Sequence, residues 1–322
     1  MASHSGLRRA RFLVEYLIFQ ALVFVLRCLP VRTSVRFADA VAWCVHSLVP
    51  RKVTRYAVAA ENIRTALGAD TSDQQVDRII LGMWQHLTRM ICEIVQLPRR
   101  FRLQNCSDVL TFRNRDECVQ AIMQGRPVLF LGGHFGNWEI SVNTFGSFGF
   151  PMGVVARDLD NPWLHRWFQQ FRESTGNWTI SKQGASVELV QAMESGGCAS
   201  LLCDQDAGRR GVFVDFFGKP ASTFKSIALL ALQYDAVVIV GGAWRLPDAE
   251  QTGSRWRQFE LCTEAVIDSR DFTTAHGVTE LTQAFTSALE SLVRRAPDQY
   301  FWVHRRWKTP APASGKRRSQ AA

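Results

Sequence analysis

The stretch richest in chemistry is HFGNWE at 134–139, which follows the apolar run VLFLGG at 128–133. On one continuous helix, residues five positions apart point about 140° away from each other and could not touch. A histidine before a turn and a glutamate in the first turn of the next helix can converge. We therefore predict that His134 follows a strand and that Glu139 lies at the start of a helix.

A carboxylate beside an imidazole fixes the tautomer of the ring and stabilises the imidazolium formed when the ring takes a proton. Because no side-chain nucleophile stands between His134 and Glu139, the pair suits activation of an external hydroxyl, from an alcohol or from water. Gly136 allows a tight turn, Asn137 is a candidate N-cap, and N–H groups near 136–138 could meet an oxyanion. A purely structural histidine at a strand end is the alternative, and H-x4-E alone does not exclude it.

Other catalytic motifs are missing from the sequence. It contains no HExxH, GxSxG or GxxxxGK[ST], and no GxGxxG after a strand. Its eight cysteines form no CxxC pair and no zinc-type spacing. We predict free thiols in a reducing compartment and no metal site.

The elements that must position His134 alternate between strand and helix patterns, which predicts an α/β fold with a largely parallel sheet flanked by helices. Functional groups in such sheets collect where strands end and helices begin. Strands are expected at 128–133, 152–156, 198–204, 236–242 and 258–263. Helices are expected at 114–124, 137–147, 161–175, 184–195, 222–233 and 272–296.

Three segments are predicted along the chain. Residues 1–30 form an amino-terminal membrane anchor or interfacial helix, and residues 31–308 form the main domain, helical over 31–100 and α/β over 101–308. Residues 309–322 are small, polar and basic, so we predict a disordered tail.

The amino terminus contains FLVEYLIFQALVFVL at 12–26, in which only Glu15 and Gln20 are not apolar. The run is shorter than the ~20 apolar residues of a spanning helix, which leaves a signal anchor, an interfacial helix or a buried core helix. The net charge of +9 indicates an anionic partner. Without an RNA-binding or helix-turn-helix signature, an anionic membrane is favoured over nucleic acid.

Four blocks together resemble one known family. GGHFGNWE is similar to the H-x4-D/E block of the lysophospholipid acyltransferase superfamily, in the form found in lipid A biosynthesis lauroyl/myristoyl acyltransferases. Blocks at 155–177, 201–223 and 297–309 resemble that family in the same order: VARDLDNPWLHRWFQQFRESTGN, LLCDQDAGRRGVFVDFFGKPAST and PDQYFWVHRRWKT. The resemblance covers about 15–309.

This resemblance implies that His134 is the general base and that Glu139 is its partner. It implies that Arg157 lies near anions of the donor or acceptor, and that Asp204 lies beside the site at a strand end. The predicted substrate-binding residues are Arg157, Asn137, Gly136, Asp204 and Gln205. Asp215 departs from the family, where an apolar residue or proline is commoner, and this puts the local packing in doubt.

The family's activity implies transfer of an acyl chain from a thioester to a hydroxyl of a lipid A precursor, at the cytoplasmic face of the inner membrane. The implied partners are acyl carrier protein, a glycolipid acceptor and an anionic membrane, with acyl carrier protein or coenzyme A thioester as co-substrate and no other cofactor. Candidates for docking or membrane contact are Arg99, Arg100, Arg102, Arg305, Arg306 and Lys308. Candidates for an acyl channel are Phe135, Trp138, Phe216 and Phe217.

Three other hypotheses remain open. The same dyad could activate water, as in an acyl-thioesterase or lipase, or the acceptor could be another glycolipid or a phospholipid. A basic lipid-binding or nucleic-acid-binding protein that has lost catalysis is the third hypothesis, and the intact His134 and Glu139 argue against it.

Overall fold

The computed structural model of the chain describes residues 2–250 and 256–312. Its amino-terminal part is helical: α1 (Ala2–Cys28), α2 (Val31–Leu48), α3 (Tyr56–Leu67) and α4 (Asp73–Arg100). Pro30, which has no N–H to donate, separates α1 from α2. Ser72 caps α4, its side chain accepting the N–H of Gln75.

The rest of the chain, as far as the structure describes it, contains nine strands and seven further α-helices. The strands are β1 (Leu110–Arg113), β2 (Val128–Gly132), β3 (Gly153–Ala156), β4 (Trp178–Ser181), β5 (Cys198–Leu202), β6 (Val212–Phe216), β7 (Lys219–Thr223), β8 (Val237–Arg245) and β9 (Phe259–Asp268). The helices are α5 (Cys106–Val109), α6 (Arg115–Ile122), α7 (Trp138–Ser147), α8 (Pro162–Glu173), α9 (Ala185–Glu194), α10 (Lys225–Gln233) and α11 (Gly277–Arg295).

Seven strands form one sheet in the order β1-β9-β8-β2-β5-β3-β4, and β6 and β7 form a separate antiparallel hairpin. Among the described strands of the seven-stranded sheet, β8 and β9 pair antiparallel and all other neighbours pair parallel. This confirms the predicted α/β fold with a largely parallel sheet flanked by helices. The five predicted strands are present, and β1, β4, β6 and β7 are additional.

The central strand β2 lies between β8 and β5, and its residues 128–131 are all buried. Its continuous apolar sequence suits a strand covered on both faces. In the parallel register Gly132 of β2 is paired with Leu202 of β5. His134 and Asp204 each follow two residues after that pair, so the register brings them side by side at the same sheet edge.

Helix α1 packs along one side only. Phe12, Val23 and Leu26 are buried, and Asn161 and Gln96 donate side-chain hydrogen bonds to the carbonyls of Phe12 and Leu26 at 2.8 and 3.1 Å. Its exposed large apolar side chains are Leu7, Leu13, Val14, Leu17, Ile18, Leu22, Phe24 and Val25. Within the described ranges, no helix combines the length and apolar character needed to cross a membrane. The predicted membrane anchor is therefore not supported as a spanning helix.

All eight cysteines are free thiols, as predicted. The predicted disordered tail lies largely outside the described residues, since only 309–312 of that segment are described. Thr309, the first residue of that segment, donates from its hydroxyl to Asp206 at 2.9 Å.

Candidate active site

His134 and Asp204 form the centre of the site. Nδ1 of His134 lies 2.8 Å from Oδ1 of Asp204, and the main-chain N–H of His134 donates to Oδ2 at 2.8 Å. Because an ionised carboxylate only accepts, Nδ1 carries a proton and Nε2 is the nitrogen able to take one. The Asp204 side chain is fully buried, and that of His134 is 18% exposed.

The electrostatics of the pair follow from this burial. Burial raises the pKa of Asp204, but the charge of His134 and its two hydrogen bonds outweigh burial and lower that pKa to about 2. Burial lowers the pKa of His134, and the charge and hydrogen bond of Asp204 overcome it, so the pKa is raised. Asp204 is therefore ionised at neutral pH, and the imidazole is a stronger base than a free histidine.

His304 packs edge-to-face against His134, with ring centroids 4.7 Å apart. Burial and the charge of His134 lower the pKa of His304 to about 4. His304 is therefore neutral around pH 7, and of the two rings it is His134 whose pKa is raised above its ordinary value.

Glu139 is the second residue of α7, as predicted, but it pairs with Arg172 of α8. The guanidinium donates from Nε to Oε2 at 3.0 Å and from Nη2 to Oε1 at 2.6 Å. Asp204, not Glu139, holds the ring of His134, so the predicted partner of the histidine is wrong. The physical reason is the sheet register, which brings Asp204 next to His134 although the two are 70 positions apart in sequence.

The turn between His134 and α7 is tightly enclosed. Gly136 has φ +58°, and a Cβ at that position would lie 2.2 Å from the carbonyl oxygen of Ala243, so only glycine fits. Asn137 is buried and caps α7, as predicted, by accepting the N–H of Ile140 at 3.1 Å.

These bonds correct the predicted ligand-binding roles of Gly136 and Asn137. The N–H of Gly136 donates to the Gln299 carbonyl at 2.9 Å, and the N–H of Asn137 donates to the Ala243 carbonyl at 2.6 Å. Neither N–H is therefore available to an oxyanion. The next N–H groups along the chain belong to the first turn of α7, where a helix has no internal acceptors for them.

A buried polar network supports the turn from behind. Arg245 donates to both carboxylate oxygens of Glu93 at 2.6 and 2.8 Å, and Glu93 also accepts from the side chain of Asn137 at 2.9 Å. Nδ1 of His86 lies 3.2 Å from Nη1 of Arg245, and its Nε2 lies 3.0 Å from the Gly136 carbonyl. Burial and the Arg245 charge keep the pKa of His86 well below its ordinary value, so His86 is neutral and donates from Nε2.

Sequence reasoning missed this network. A signal was available in Glu93, a carboxylate inside the apolar run MICEIV of α4, and in Arg245 at the end of the apolar strand β8. Buried charges of this kind are stable only when paired. The sequence does not show which buried charges form ion pairs with each other.

A cleft of about 650 Å³ opens beside His134. Its apolar lining includes Phe130, Leu131, Phe145, Met152, Leu189 and Ile239. Arg157, Gln205, Phe135 and Trp138 also line the cleft, and their contact with substrate stays a prediction. Phe216 and Phe217 instead pack in the core, outside the cleft lining, so their predicted place in an acyl channel is wrong.

In the carboxyl-terminal half, the structure overturns the predicted role of Arg306 and shows the packing of Asp215. Arg306, a predicted docking residue, is 3% exposed and donates to the Ser222 carbonyl and the Thr223 hydroxyl, each at 2.6 Å. It therefore holds the β6–β7 hairpin in place. Asp215 accepts the N–H of Gly218 at 2.8 Å, which shows how this departure from the family is accommodated in the hairpin turn.

Metal ligands are not assembled in the described part of the chain: no group of three or more His, Cys, Asp or Glu side chains within residues 2–250 and 256–312 is placed to hold a metal ion.

Comparison with known proteins gives a family match over nearly the whole chain. The profile of the family described as bacterial lipid A biosynthesis acyltransferase matches residues 5–309. The lipid A biosynthesis lauroyltransferase of Escherichia coli K12 is 29% identical over 195 residues, which cover 59% of this chain and 58% of that protein. The matched segment thus spans less than two thirds of that relative.

Two further relatives are named for a different acyl chain or for a different lipid. The lipid A biosynthesis palmitoleoyltransferase of Escherichia coli K12 is 27% identical over 197 residues, 60% of each chain. The phosphatidylinositol mannoside acyltransferase of Mycolicibacterium smegmatis is 25% identical over 256 residues, 76% of this chain and 77% of that protein.

Proposed function

Because the chain belongs to the bacterial lipid A biosynthesis acyltransferase family, we propose that it transfers a fatty acyl chain from a thioester donor to a hydroxyl group of a glycolipid. The observation that carries this proposal is His134 held by Asp204 beside a largely apolar cleft of about 650 Å³. The names of the relatives point to lipid A in two cases and to a mannosylated lipid in the third. The proposed acceptor is accordingly a lipid A precursor or a related glycolipid.

In the proposed reaction, Nε2 of His134 takes the proton of the acceptor hydroxyl as its oxygen attacks the thioester carbonyl carbon. A new C–O bond forms and the carbonyl becomes an oxyanion. The C–S bond then breaks, and the imidazolium returns the proton to the departing thiolate. Asp204 stabilises the imidazolium between these two steps.

The oxyanion needs donors near the histidine. The N–H groups of Trp138 and Glu139, at the start of α7, and the guanidinium of Arg157 are the candidates. Glu139 contributes indirectly in this proposal, because its bidentate pair with Arg172 ties the start of α7 to α8. Both members of that pair line the cleft.

The proposed donor is the thioester of acyl carrier protein or of coenzyme A, with no further cofactor. The exposed Arg102, Arg305 and Lys308 and the net charge of +9 favour docking of an acidic carrier protein. Arg306 is excluded from that surface because it is buried.

We place the enzyme at the cytoplasmic face of the inner membrane, with the exposed apolar side of α1 in the lipid interface. The support is the row of exposed apolar side chains on α1 together with exposed Arg8, Arg9, Arg11 and Arg27. Such a helix binds through buried apolar area and attraction to anionic lipid. Co-sedimentation with anionic vesicles should be weakened by Ile18→Glu, and equal binding by wild type and variant would contradict this placement.

Titration of the glycolipid acceptor distinguishes a transferase from a hydrolase. With a fixed acyl thioester, a transferase forms acylated glycolipid in proportion to acceptor until saturation, and mass spectrometry follows both products. Release of free fatty acid at a rate independent of the glycolipid would instead identify a thioesterase.

A further inference from the structure

A second cavity, of about 270 Å³, lies between α1, α4 and α8, and we call it the α1–α4–α8 cavity. Most of its lining is apolar and comes from these three helices: Phe19, Met90, Ile94, Val95, Trp167 and Phe168. An apolar cavity of ~150 Å³ is large enough to take up benzene, so this one has room for a section of a hydrocarbon chain. It is therefore a candidate site for the tail of a lipid.

The α1–α4–α8 cavity adjoins the catalytic cleft. Trp138, Glu139 and Arg172 are among the residues that line both spaces. The ring of Trp138 lies edge-to-face against that of His134, with centroids 5.3 Å apart. A ligand in the cavity is therefore separated from the catalytic histidine by a single side chain.

The border between the two spaces carries an ion pair. The side chains of Glu139 and Arg172 are only 8% and 19% exposed. A buried ion pair is a weak source of stability, because the loss of hydration offsets most of the attraction between the charges. A hydrocarbon chain cannot replace the hydrogen bonds of the pair, so the pair keeps a chain in one space from entering the other. The two spaces are therefore suited to two separate chains.

The opposite wall of the cavity belongs to α1. Phe19 packs edge-to-face against Trp167, with ring centroids 4.9 Å apart, and its centroid lies 6.1 Å from that of Phe168. Ile18, the neighbour of Phe19, is exposed and belongs to the apolar side of α1. Ile91 of α4 lines the cavity and is 46% exposed, so it lies at the mouth. The cavity is therefore open to the surface next to α1.

We propose that the α1–α4–α8 cavity binds a hydrocarbon chain of the glycolipid acceptor while the acyl chain of the donor occupies the 650 Å³ cleft. A transfer between two lipids requires room for two chains beside one base. The acceptor is assigned to this cavity because the acceptor resides in the membrane, and α1 is the helix placed in the lipid interface. The inference rests on the proposed transferase function and on that placement of α1.

The first test narrows the mouth of the cavity with Ile91→Trp. Leu229→Trp on α10 is the matched control, since Leu229 is also 46% exposed and lines neither space. Rates are measured in one detergent with two acceptors that share a headgroup, one with full-length chains and one with short chains. Ile91→Trp should raise KM roughly 10-fold for the full-length acceptor, the loss expected when about two methylenes are excluded from an apolar site. KM for the short-chain acceptor, and both KM values of Leu229→Trp, should match wild type.

Two results of this comparison would overturn the assignment of the cavity. One is an equal change in KM for the two acceptors, or no change for either. The other is a penalty in Ile91→Trp that grows with the chain length of the thioester donor, because the donor chain would then occupy the cavity.

Photo-cross-linking identifies the occupant without turnover. His134→Ala is irradiated with an acceptor or a thioester donor that carries a diazirine in its chain, and mass spectrometry locates the labelled peptides. The acceptor should label residues 90–95 and 165–168, and the donor should not. Labelling of these residues by the donor, or none by the acceptor, would overturn the assignment. Wild type that acylates no glycolipid would instead overturn the proposed function, whichever peptides are labelled.

Discussion

Both carboxylate oxygens of Asp204 bind His134, one through ring Nδ1 and one through the main-chain N–H, each at 2.8 Å. The two bonds fix the carboxylate relative to the backbone as well as to the ring. The imidazole is therefore held in one tautomer before any substrate binds, with Nε2 as the basic nitrogen.

Asp204→Asn removes the charge that stabilises the imidazolium while keeping the size of the side chain. We expect kcat to fall by about two to four orders of magnitude with little change in KM, the range over which a positioned base contributes. Steady-state kinetics measure the effect, and a thermal melt checks the fold. An unchanged kcat would show that the pair does not act in the reaction.

The pH profile of kcat/KM should report His134. The base acts in its neutral form, and because Asp204 raises its pKa, activity should rise with pH through a midpoint above the ordinary value of about 6.5. His304 should not contribute to this limb, since its pKa is about 4. In Asp204→Asn the midpoint should move to lower pH, because burial then acts without the carboxylate, and a shift to higher pH would contradict this assignment.

Glu139→Gln tests the corrected pairing. Because Glu139 binds Arg172, the variant should lose about 1–3 kcal/mol of unfolding free energy, as expected for a lost charged hydrogen bond. Its pH midpoint should match wild type. Arg172→Met and the double variant complete a double-mutant cycle, in which a coupling energy near zero would argue against the pair. A pH shift resembling that of Asp204→Asn would restore Glu139 as the partner of His134.

Gly136→Ala tests the enclosed turn, with Gly149→Ala as its matched control. Both glycines have positive φ, +58° and +87°, but only at Gly136 would a Cβ meet backbone, 2.2 Å from the Ala243 carbonyl oxygen. Gly149→Ala should cost about 1–2 kcal/mol from backbone strain alone and keep its activity. Gly136→Ala should be destabilised further and lose activity, and equal melting temperatures for the two variants would contradict the close approach.

The parts of this site that depend on local sequence could be predicted. The parts that depend on how strands align and on which side chains bind each other could not. The apolar run of β2, the glycine turn and the Asn137 cap are signals within ten residues, so the placement of His134 was predictable. The bond to Asp204 depends on how β2 and β5 align, which the sequence does not state. Glu139 was predicted as the partner of His134 because the two residues are close in sequence. In the structure, the Glu139 carboxylate instead accepts hydrogen bonds from Arg172.

The missed strands have a similar explanation. Strands β1 and β4 are four residues long and partly exposed, so they present no apolar run. The β6–β7 hairpin turns at Phe217 and Gly218, both with positive φ, and phenylalanine is not a residue from which such a turn is predicted.

Mass spectrometry of the glycolipid product formed by wild type, His134→Ala and His276→Ala is the most direct test of the proposed general base. His276 is an exposed histidine at the start of α11 and serves as the matched control. With the same acyl thioester and acceptor, wild type and His276→Ala should form equal amounts of acylated glycolipid, and His134→Ala should form it about 10²- to 10⁴-fold more slowly. Equal rates of product formation by wild type and His134→Ala would contradict the role of His134 as the general base.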